Sequence, residues 1–260
     1  MGKRADGYHD LQTVFYPLPL HDCLEIITSP ATNTEPVLTA SGLPVQGAAE
    51  DNICLKAWHL LKTDFSQLPV VAMHLHKAIP MGAGLGGGSA DGAFMLTMLN
   101  EKYNLQLSEQ QLIQYALQLG SDCPFFILNK PCFGSGRGEM LQPVDLDLNK
   151  YFFVIINPNI HINTGWAFKQ LQLQLPVHPL LVAIEQPVAT WKNIIINDFE
   201  KPVAKQYPVI REIKEILYRQ GAVYASMTGS GSTVFGLFDE KPSLPNFPDE
   251  YLVKVVAPKQ

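Results

Sequence analysis

Five glycines lie within seven positions of this chain, and a serine and an apolar run follow them. The segment reads Pro80-Met81-Gly82-Ala83-Gly84-Leu85-Gly86-Gly87-Gly88-Ser89-Ala90-Asp91-Gly92, and Ala93-Phe94-Met95-Leu96-Thr97-Met98-Leu99 comes next. Because glycine costs backbone entropy and adds no side chain, a cluster this dense indicates a backbone that approaches another group closely. The apolar run predicts a buried helix with Ser89 as its N-cap. The first N–H groups and the dipole of such a helix favour a bound phosphate.

Two common phosphate motifs fit this segment incompletely. Gly82, Gly84 and Gly87 match G-x-G-x-x-G, but a dinucleotide fold needs an acidic residue at a second strand end, and Glu101 falls at the end of the predicted helix instead. The segment also fits G-x-x-x-x-G-K-[ST], except that Gly88 replaces the lysine that neutralises the outer phosphates. A tight glycine turn that only caps a core helix is the remaining interpretation.

Composition describes an ordinary globular protein. The chain has 260 residues, of which 47% are hydrophobic and 17% charged, and its formal net charge is −5. That length suffices for one large domain or two modest ones. An acidic balance without long runs of like charge argues against a nucleic-acid partner. No apolar run reaches about 18 residues and the start is not signal-like, so we expect no membrane contact and a cytoplasmic protein.

The cysteines and histidines show no metal-binding spacing. Cys23, Cys54, Cys123 and Cys132 include no C-x-x-C pair, and the histidines form no H-E-x-x-H motif. This pattern argues against both a zinc site and a disulfide framework. We therefore expect reduced thiols and no metal site made of protein side chains. The sequence gives no indication of an oligomeric state.

Strand and helix patterns are mixed along the chain without strict alternation, which favours an α+β fold. The predicted strands are 11–16, 24–28, 70–76, 151–156, 224–228 and 233–238. Asp51 or Asn52 would cap one helix, and a capping box of Ser108 and Gln111 would start another. A polar stretch at 143–150 predicts two domains, 1–147 and 148–260.

Four motifs, taken together, resemble those of the GHMP small-molecule kinases, the family of galactose, homoserine, mevalonate and phosphomevalonate kinases. Residues 80–90 are similar to its phosphate-binding motif, and Met227-Thr228-Gly229-Ser230-Gly231-Ser232 is similar to its C-terminal glycine motif, which packs beside the phosphate site. Arg4-Ala5-Asp6-Gly7-Tyr8-His9-Asp10-Leu11 and the predicted turn Ser121-Asp122-Cys123-Pro124-Phe125-Phe126 resemble signatures of one branch, whose substrate carries a cytidyl diphosphate group. The motifs occur in order from residue 2 to about residue 238. The chain is therefore identified as a member of this family.

The resemblance implies a fold of two domains and an ATP-dependent phosphoryl transfer. The fold would join an N-terminal α/β domain like ribosomal protein S5 to a C-terminal α+β sandwich. ATP, accompanied by Mg²⁺, would be the phosphoryl donor. The implied set of ATP-binding residues is Asn52, Lys77, Pro80, Met81, Gly82, Ala83, Gly84, Leu85, Gly86, Gly87, Gly88, Ser89 and Ala90, with Thr228, Gly229, Ser230 and Gly231 near the phosphates. Without the resemblance, Asn52 is equally a helix cap and Lys77 a solvated strand end.

Asp122 matches the catalytic aspartate of the family, which lies next to the attacking hydroxyl group. Its alternative role is to cap a short helix. A helix N-terminus would lower its pKa and keep it ionised, and a weak base of this kind would orient the hydroxyl group more than deprotonate it.

Four further residues match the substrate contacts of the cytidyl diphosphate branch. Tyr8 and His9 would stack on the cytosine and hydrogen-bond to it, Phe168 would cover the second face of the base, and Thr164 lies one helical turn earlier. Taken alone, Phe168 is a core residue. The small-molecule partner implied is thus a cytidyl diphosphate alcohol.

The family pattern also includes a first strand of the type Pro-x-Ala-Lys-x-Asn-Leu, whose lysine pairs with the catalytic aspartate. This sequence starts at Met1, directly before the motif at residues 4–11. We interpret it as beginning at an internal methionine of a longer gene product. The alternatives are a naturally shortened, non-catalytic nucleotide-binding protein and, if the cytidyl signatures mislead, a related kinase for a sugar or an isoprenoid alcohol.

Overall fold

The structure is a computed structural model that describes residues 10–30, 32–45, 47–171 and 178–258. The chain forms two compact units. The first unit comprises residues 13–81 and 86–143, and the second comprises the described residues of 1–12, 82–85 and 144–260. The contiguous domain limits 1–147 and 148–260 stay a prediction.

Two three-stranded sheets and four helices form the first unit. Its strands are β1 (Thr13–Phe15), β2 (Cys23–Thr28), β3 (Val37–Gly42), β4 (Val71–Lys77), β5 (Cys132–Ser135) and β6 (Met140–Pro143). Its helices are α1 (Ile53–Asp64), α2 (Gly87–Lys102), α3 (Glu109–Leu119) and α4 (Cys123–Leu128), and a 3₁₀ turn (Ala49–Asp51) precedes α1. One sheet has the order β2-β4-β3 and the other β1-β5-β6. Strand β4 runs antiparallel to β2 and parallel to β3.

Helices α1 and α2 and the inner face of β4 build the core of the first unit. Alternation along β4 buries Val71, Met73 and Leu75, each at most 3% exposed, against both helices. The helices approach closely at Gly92 of α2, where a Cβ atom would lie 2.6 Å from Ile53 Cγ1. The glycine segment, residues 80–92, starts in the loop between β4 and α2 and ends within α2. The core thus fixes both ends of that segment.

One antiparallel sheet organises the second unit. Its strands are β7 (Phe152–Asn157), β8 (Tyr224–Met227), β9 (Val234–Phe238) and β10 (Leu252–Val256), in the order β10-β7-β9-β8. Its helices are α5 (Thr164–Lys169), α6 (Leu180–Ile184), α7 (Trp191–Ile194), α8 (Glu200–Gln206) and α9 (Val209–Arg219), and a 3₁₀ turn (Val188–Thr190) precedes α7. Buried Ile210, Ile213 and Leu217 of α9 pack on the sheet.

The structure confirms the α+β class and the six predicted strands, with ends that differ by up to two residues. It also confirms the capping box, since Ser108 Oγ accepts a hydrogen bond from Gln111 N at 3.3 Å and Gln111 Oε1 accepts one from Ser108 N at 2.9 Å. The prediction of a plain turn at 121–126 is wrong, because the six-residue helix α4 begins there. No helix among the described residues is long and apolar enough to cross a membrane.

Candidate nucleotide-binding and active site

A buried ion cluster holds the end of β4, three residues before the glycine segment. The Lys77 ammonium group donates to the carboxylate of Asp22 and, at 2.8 Å, to Asp91 Oδ2 on α2. The side chains of Lys77, Asp22 and Asp91 are only 1%, 4% and 7% exposed. Asp22 Oδ1 also accepts from Ala78 N at 2.6 Å and Ile79 N at 2.9 Å. One carboxylate therefore joins β4, the backbone before the glycines and, through Lys77, the helix that follows them.

The charges of this cluster shift the pKa values of its members. Burial would lower the pKa of Lys77, but hydrogen bonds and charge from Asp22 and Asp91 outweigh it and raise that pKa. Burial raises the pKa of Asp91 to about 6, against the opposing hydrogen bond and charge of Lys77. Burial and the Asp91 charge raise the pKa of the Cys54 thiol to about 12. Because the cluster holds one cation and two carboxylates, Asp91 is the group that takes up a proton below neutral pH.

Lys77 is therefore not the solvated strand end of the sequence-based alternative, because its side chain lies inside the ion cluster. Its contact with an adenosine group stays a prediction. The predicted cap of α1 is Asn52, whose Oδ1 accepts from Cys54 N at 2.9 Å. The structure therefore gives Asn52 a structural role, and its nucleotide contact likewise stays a prediction.

Within the second unit, the glycine segment touches the C-terminal glycine motif (residues 227–232). Thr228 Oγ1 donates to Gly84 O at 2.8 Å. A Cβ atom on Gly84 would lie 2.4 Å from Thr228 O and 3.0 Å from Gly231 O, and Gly84 has a φ of +75°. Only glycine fits this position, since both its backbone angle and its neighbours reject a side chain. The structure thus brings two sequence motifs together that lie about 140 residues apart in the chain.

Neighbouring residues extend this contact. Thr233 N donates to Ala83 O at 3.1 Å, so Ala83 is tied to the start of β9. Gly82 has a φ of +65°, and a Cβ atom there would lie 2.9 Å from His161 Nδ1. The same continuous segment contains four further members of the predicted ATP-binding set: Pro80, Met81, Leu85 and Ala90.

Glycines 86 and 87 are tightly packed at the start of α2 in the first unit. A Cβ atom on Gly86 would lie 2.7 Å from Phe126 Cζ, and one on Gly87 would lie 3.0 Å from Ile79 Cγ2. Gly86 is the N-cap, with a left-handed φ of +69°. The prediction that Ser89 caps this helix is therefore wrong: the helix begins at Gly87, because a left-handed glycine turns the chain without a capping side chain.

Gly88 differs from these neighbours because it lies beside open space. Apart from its two chain neighbours and the backbone of its own helix, no described atom lies within 4 Å of a Cβ atom built on Gly88, and its backbone is helical. Neither crowding by neighbours nor the backbone angle therefore explains why position 88 is a glycine. Burial raises the pKa of the Cys123 thiol to about 11, and the nearby Ser89 hydroxyl group opposes this rise. The first turn of α2 thus lies near the residue after Asp122.

Asp122 is the N-cap residue of α4, yet its side chain makes no capping hydrogen bond. Its residue surface is exposed, although surrounding protein atoms desolvate the carboxylate enough to raise its pKa. The expected lowering of this pKa by the helix is therefore wrong in direction, because desolvation dominates. A carboxylate with a raised pKa can accept a proton and is a stronger base than an ordinary aspartate.

Of the predicted substrate residues, two lie among the described residues. Thr164 Oγ1 lies 3.1 Å from Ser230 Oγ, which joins α5 to the C-terminal glycine motif. The Phe168 ring meets the Phe199 ring edge to face, at 5.0 Å between centroids. Tyr8 and His9 lie outside the described residues.

Sequence reasoning missed four polar residues that hold the two glycine motifs. Asp22 and Asp91 belong to the ion cluster, and Asn197 and Glu200 bond to the backbone at the end of β8. Asp91 did carry a signal, because it is the one charged residue between positions 87 and 100 of the α2 sequence. Asn197 and Glu200 follow an apolar run, 194–196, in the polar sequence Asn-Asp-Phe-Glu.

Across residues 10–30, 32–45, 47–171 and 178–258, no group of three or more His, Cys, Asp or Glu side chains could hold a metal ion.

Comparisons with known proteins agree with one another. Residues 52–130 match the GHMP kinases N terminal domain, and residues 181–250 match the GHMP kinases C terminal region. The 4-diphosphocytidyl-2-C-methyl-D-erythritol kinase of Bacteroides fragilis strain YCH46 is 53% identical over 242 residues, which are 93% of this chain and 88% of the relative. The corresponding kinase of Bacteroides thetaiotaomicron is 51% identical over 243 residues, 94% of this chain and 88% of the relative.

Solved structures show the same similarity. A crystal structure of 4-(cytidine 5'-diphospho)-2C-methyl-D-erythritol kinase superposes with a TM-score of 0.72 and 31% identity, and the match covers 90% of this chain and 83% of that one. The two-domain kinase fold expected from the sequence motifs is thereby confirmed.

Gly84→Ala and Gly88→Ala should affect stability differently. At Gly84, where a Cβ atom would lie 2.4 Å from Thr228 O, alanine should lower the free energy of unfolding by about 2–4 kcal/mol. At Gly88 alanine meets open space in a helix, so stability should stay equal or rise by up to about 1 kcal/mol. Urea denaturation of both variants measures the difference. A Gly84→Ala protein as stable as wild type would contradict the close backbone approach.

Asp91→Asn should change the pH dependence of stability. Asp91 binds its proton more tightly in the folded protein, with a pKa of about 6, than at its ordinary value of 3.8. Its stabilising contribution is thus fully present below about pH 4 and is lost as the pH rises through about 6. Asparagine does not titrate, so the unfolding free energy of wild type minus that of the variant should fall across this window by an amount on the order of 1 to 3 kcal/mol.

Urea denaturation at several pH values between about 4 and 7 measures this difference. Asp145→Asn, which makes the same chemical change at an exposed loop position after β6, is the matched control. A flat or rising difference for Asp91→Asn would show that the ion cluster does not raise the proton affinity of Asp91.

Proposed function

This chain belongs to the GHMP kinases, and within them to the 4-diphosphocytidyl-2-C-methyl-D-erythritol kinases, and on that basis we propose that it transfers the γ-phosphoryl group of ATP to the 2-hydroxyl group of 4-diphosphocytidyl-2-C-methyl-D-erythritol. This step belongs to the non-mevalonate synthesis of isoprenoid precursors. The observation that carries the proposal is the open space beside Gly88 at the first turn of α2.

The start of α2 has the properties that a phosphate group requires. The first N–H groups of a helix have no acceptor within it, and the helix dipole adds positive potential there. A side chain on Gly88 would occupy the adjacent space, which the absence of a Cβ atom leaves clear. The ATP phosphates thus fit the backbone of residues 86–89, and ATP supplies the phosphoryl group that is transferred.

Asp122 is the residue that we assign to the acceptor hydroxyl group. The residue reaches the surface and its side chain makes no capping bond, so its carboxylate is free of that helix-capping role. Desolvation raises its pKa and therefore its affinity for the proton that the hydroxyl group loses. Asp122 is followed directly by Cys123, whose thiol lies near enough to Ser89 in the first turn of α2 for that hydroxyl group to affect its pKa. The same carboxylate both orients the hydroxyl group and accepts its proton.

Magnesium would arrive with the nucleotide. Mg²⁺ keeps several waters and is usually held by one or two carboxylates plus substrate phosphates, so it does not need a cage of protein ligands. Bound Mg²⁺ would neutralise charge on the phosphates.

The cytidyl end of the substrate is assigned to Tyr8, His9, Thr164 and Phe168. Thr164 and Phe168 lie on α5 and are linked to the rest of the second unit by the Ser230 hydroxyl group and the Phe199 ring. Two aromatic faces would enclose the base, and polar groups would read its edge. We also propose a cytoplasmic location, where thiols stay reduced, because all four cysteines are free and three of them are buried.

Gly88→Ala should weaken ATP binding without loss of stability. The added methyl group would occupy the space that the phosphates require, so we expect the Kd for ATP to rise by about tenfold or more. Isothermal titration calorimetry with ATP and Mg²⁺ measures the Kd, and urea denaturation of the same variant supplies the control. An unchanged Kd would contradict the placement of the phosphates at the first turn of α2.

Asp122→Asn should reduce turnover while leaving nucleotide binding intact. The amide cannot accept the hydroxyl proton, so kcat should fall by about 100-fold or more, with the Kd for ATP within about threefold of wild type. A coupled assay of ADP release with the cytidyl substrate measures kcat. Asp145→Asn makes the same chemical change at an exposed loop position and should keep wild-type turnover. Equal turnover of Asp122→Asn and wild type would remove Asp122 from the active site.

A further inference from the structure

The end of strand β8 is held from outside its sheet by two side chains. Strand β8 is the edge of the sheet β10-β7-β9-β8, and an edge strand presents backbone groups that the sheet leaves unpaired. At Met227, the last residue of β8, side chains satisfy both backbone groups: Glu200 Oε1 accepts from Met227 N at 2.7 Å, and Asn197 Nδ2 donates to Met227 O at 2.7 Å. The C-terminal glycine motif begins at this residue.

Asn197 uses both N–H groups and its oxygen. Nδ2 donates to Met227 O at 2.7 Å and to Gly229 O at 2.8 Å, while Oδ1 accepts from Phe199 N at 2.9 Å. Because both motif partners are carbonyl oxygens, only a group with two donors satisfies them. The amide thus bridges the residues on either side of Thr228 and fixes the turn that carries it.

Glu200 supports the same turn from the first position of α8. Its Oε1 also accepts from Ser226 Oγ at 2.9 Å, and its other oxygen accepts from the Lys214 ammonium group on α9. These bonds hold the carboxylate against the edge of β8. Asn197 and Glu200 thereby act as one clamp on the backbone of residues 226–229.

The turn that this clamp fixes, within residues 227–232, also holds the glycine segment. Thr228 N donates to Thr233 O at 2.9 Å, and Gly231 N donates to Thr228 O at 3.0 Å, so the turn closes on itself. Its remaining polar group, Thr228 Oγ1, donates to Gly84 O at 2.8 Å. Because a Cβ atom on Gly84 would lie only 2.4 Å from Thr228 O, the two backbones have little room to slide. A displacement of Met227 or Gly229 is therefore transmitted to Gly84.

We infer that Asn197 and Glu200 are positioning residues for ATP binding, which act on the backbone of Gly84 through the Thr228 hydroxyl group. This inference rests on the proposed function, since it assumes that the glycine segment binds the phosphates. Neither residue needs to touch the nucleotide. Their contribution is to keep the phosphate-binding backbone in its bound conformation before ATP arrives, which spares ATP the free energy of ordering it.

Asn197→Asp is the sharpest single test. Aspartate has nearly the same shape, but it replaces the two N–H donors with an acceptor that faces two carbonyl oxygens. The Kd for a non-hydrolysable ATP analogue should rise by about tenfold. Asn193→Asp makes the same charge change at an exposed position of α7, four residues earlier, and should leave the Kd within about twofold of wild type. Calorimetry is run at a temperature where circular dichroism shows each variant folded.

A double-mutant cycle with Thr228→Val separates positioning from a general loss of stability. Valine removes the hydroxyl group that donates to Gly84 O. If Asn197 acts through that hydroxyl group, Asn197→Asp should raise the Kd by less than about twofold in the Thr228→Val background. A further tenfold increase in that background, or no increase in the wild-type background, would overturn the inference.

Binding of the ATP analogue to the wild-type protein distinguishes a failure of the positioning role from a failure of the proposed function. If wild type binds no ATP analogue, the proposed function fails, and the inference fails with it. If wild type binds and Asn197→Asp binds equally well, only the positioning role is rejected. Glu200→Gln is a second variant for the case in which Asn197→Asp does not fold. The glutamine side chain keeps an oxygen that accepts from Met227 N, but it has no negative charge to pair with Lys214. Glu200→Gln should therefore also raise the Kd, by a smaller factor than Asn197→Asp.

Discussion

A contact between two backbones, at Gly84 and Thr228, is the constraint on which the second unit's part of the site depends. No side chain fits at Gly84, because a Cβ atom would lie 2.4 Å from Thr228 O and the residue has a φ of +75°. The Thr228 hydroxyl group then closes the contact with a hydrogen bond to Gly84 O. A phosphate-binding backbone must stay rigid without side chains of its own, and here a second glycine motif supplies that rigidity. Position 84 must be glycine because the two segments come within backbone contact there.

In the first unit, a buried ion cluster holds the backbone on both sides of the glycines. Asp22 holds the backbone just before the glycine segment, and Lys77 joins it to Asp91 on the helix that follows. A buried ion pair contributes little net stability, since desolvation offsets its attraction, but removal of one partner leaves a buried charge without compensation. The cluster is therefore better understood as a device that fixes geometry. It holds the strand end and the first turns of α2 in one arrangement.

Local patterns predicted much of the fold and the chemistry of the site. Alternation in β4, the capping box at Ser108 and the glycine spacing each reflect neighbours close in sequence, so they were accessible without a structure. The cap of α2 was misassigned because serine is a common N-cap, whereas a left-handed glycine needs no capping side chain. The lowering expected for the Asp122 pKa was wrong because desolvation depends on tertiary surroundings. The partners of Lys77 and of Met227 lie between 14 and 55 residues away in sequence, and no local pattern reveals them.

Substrate identity is the central claim, and direct product analysis tests it. The protein would be incubated with ATP, Mg²⁺ and one alcohol at a time: 4-diphosphocytidyl-2-C-methyl-D-erythritol, mevalonate or homoserine. Mass spectrometry and phosphorus NMR then identify any product. We predict that one phosphoryl group is added to the 2-hydroxyl group of the cytidyl substrate, with one ADP formed per product and no product from the other two alcohols. Phosphorylation of mevalonate or homoserine but not of the cytidyl substrate would contradict the account.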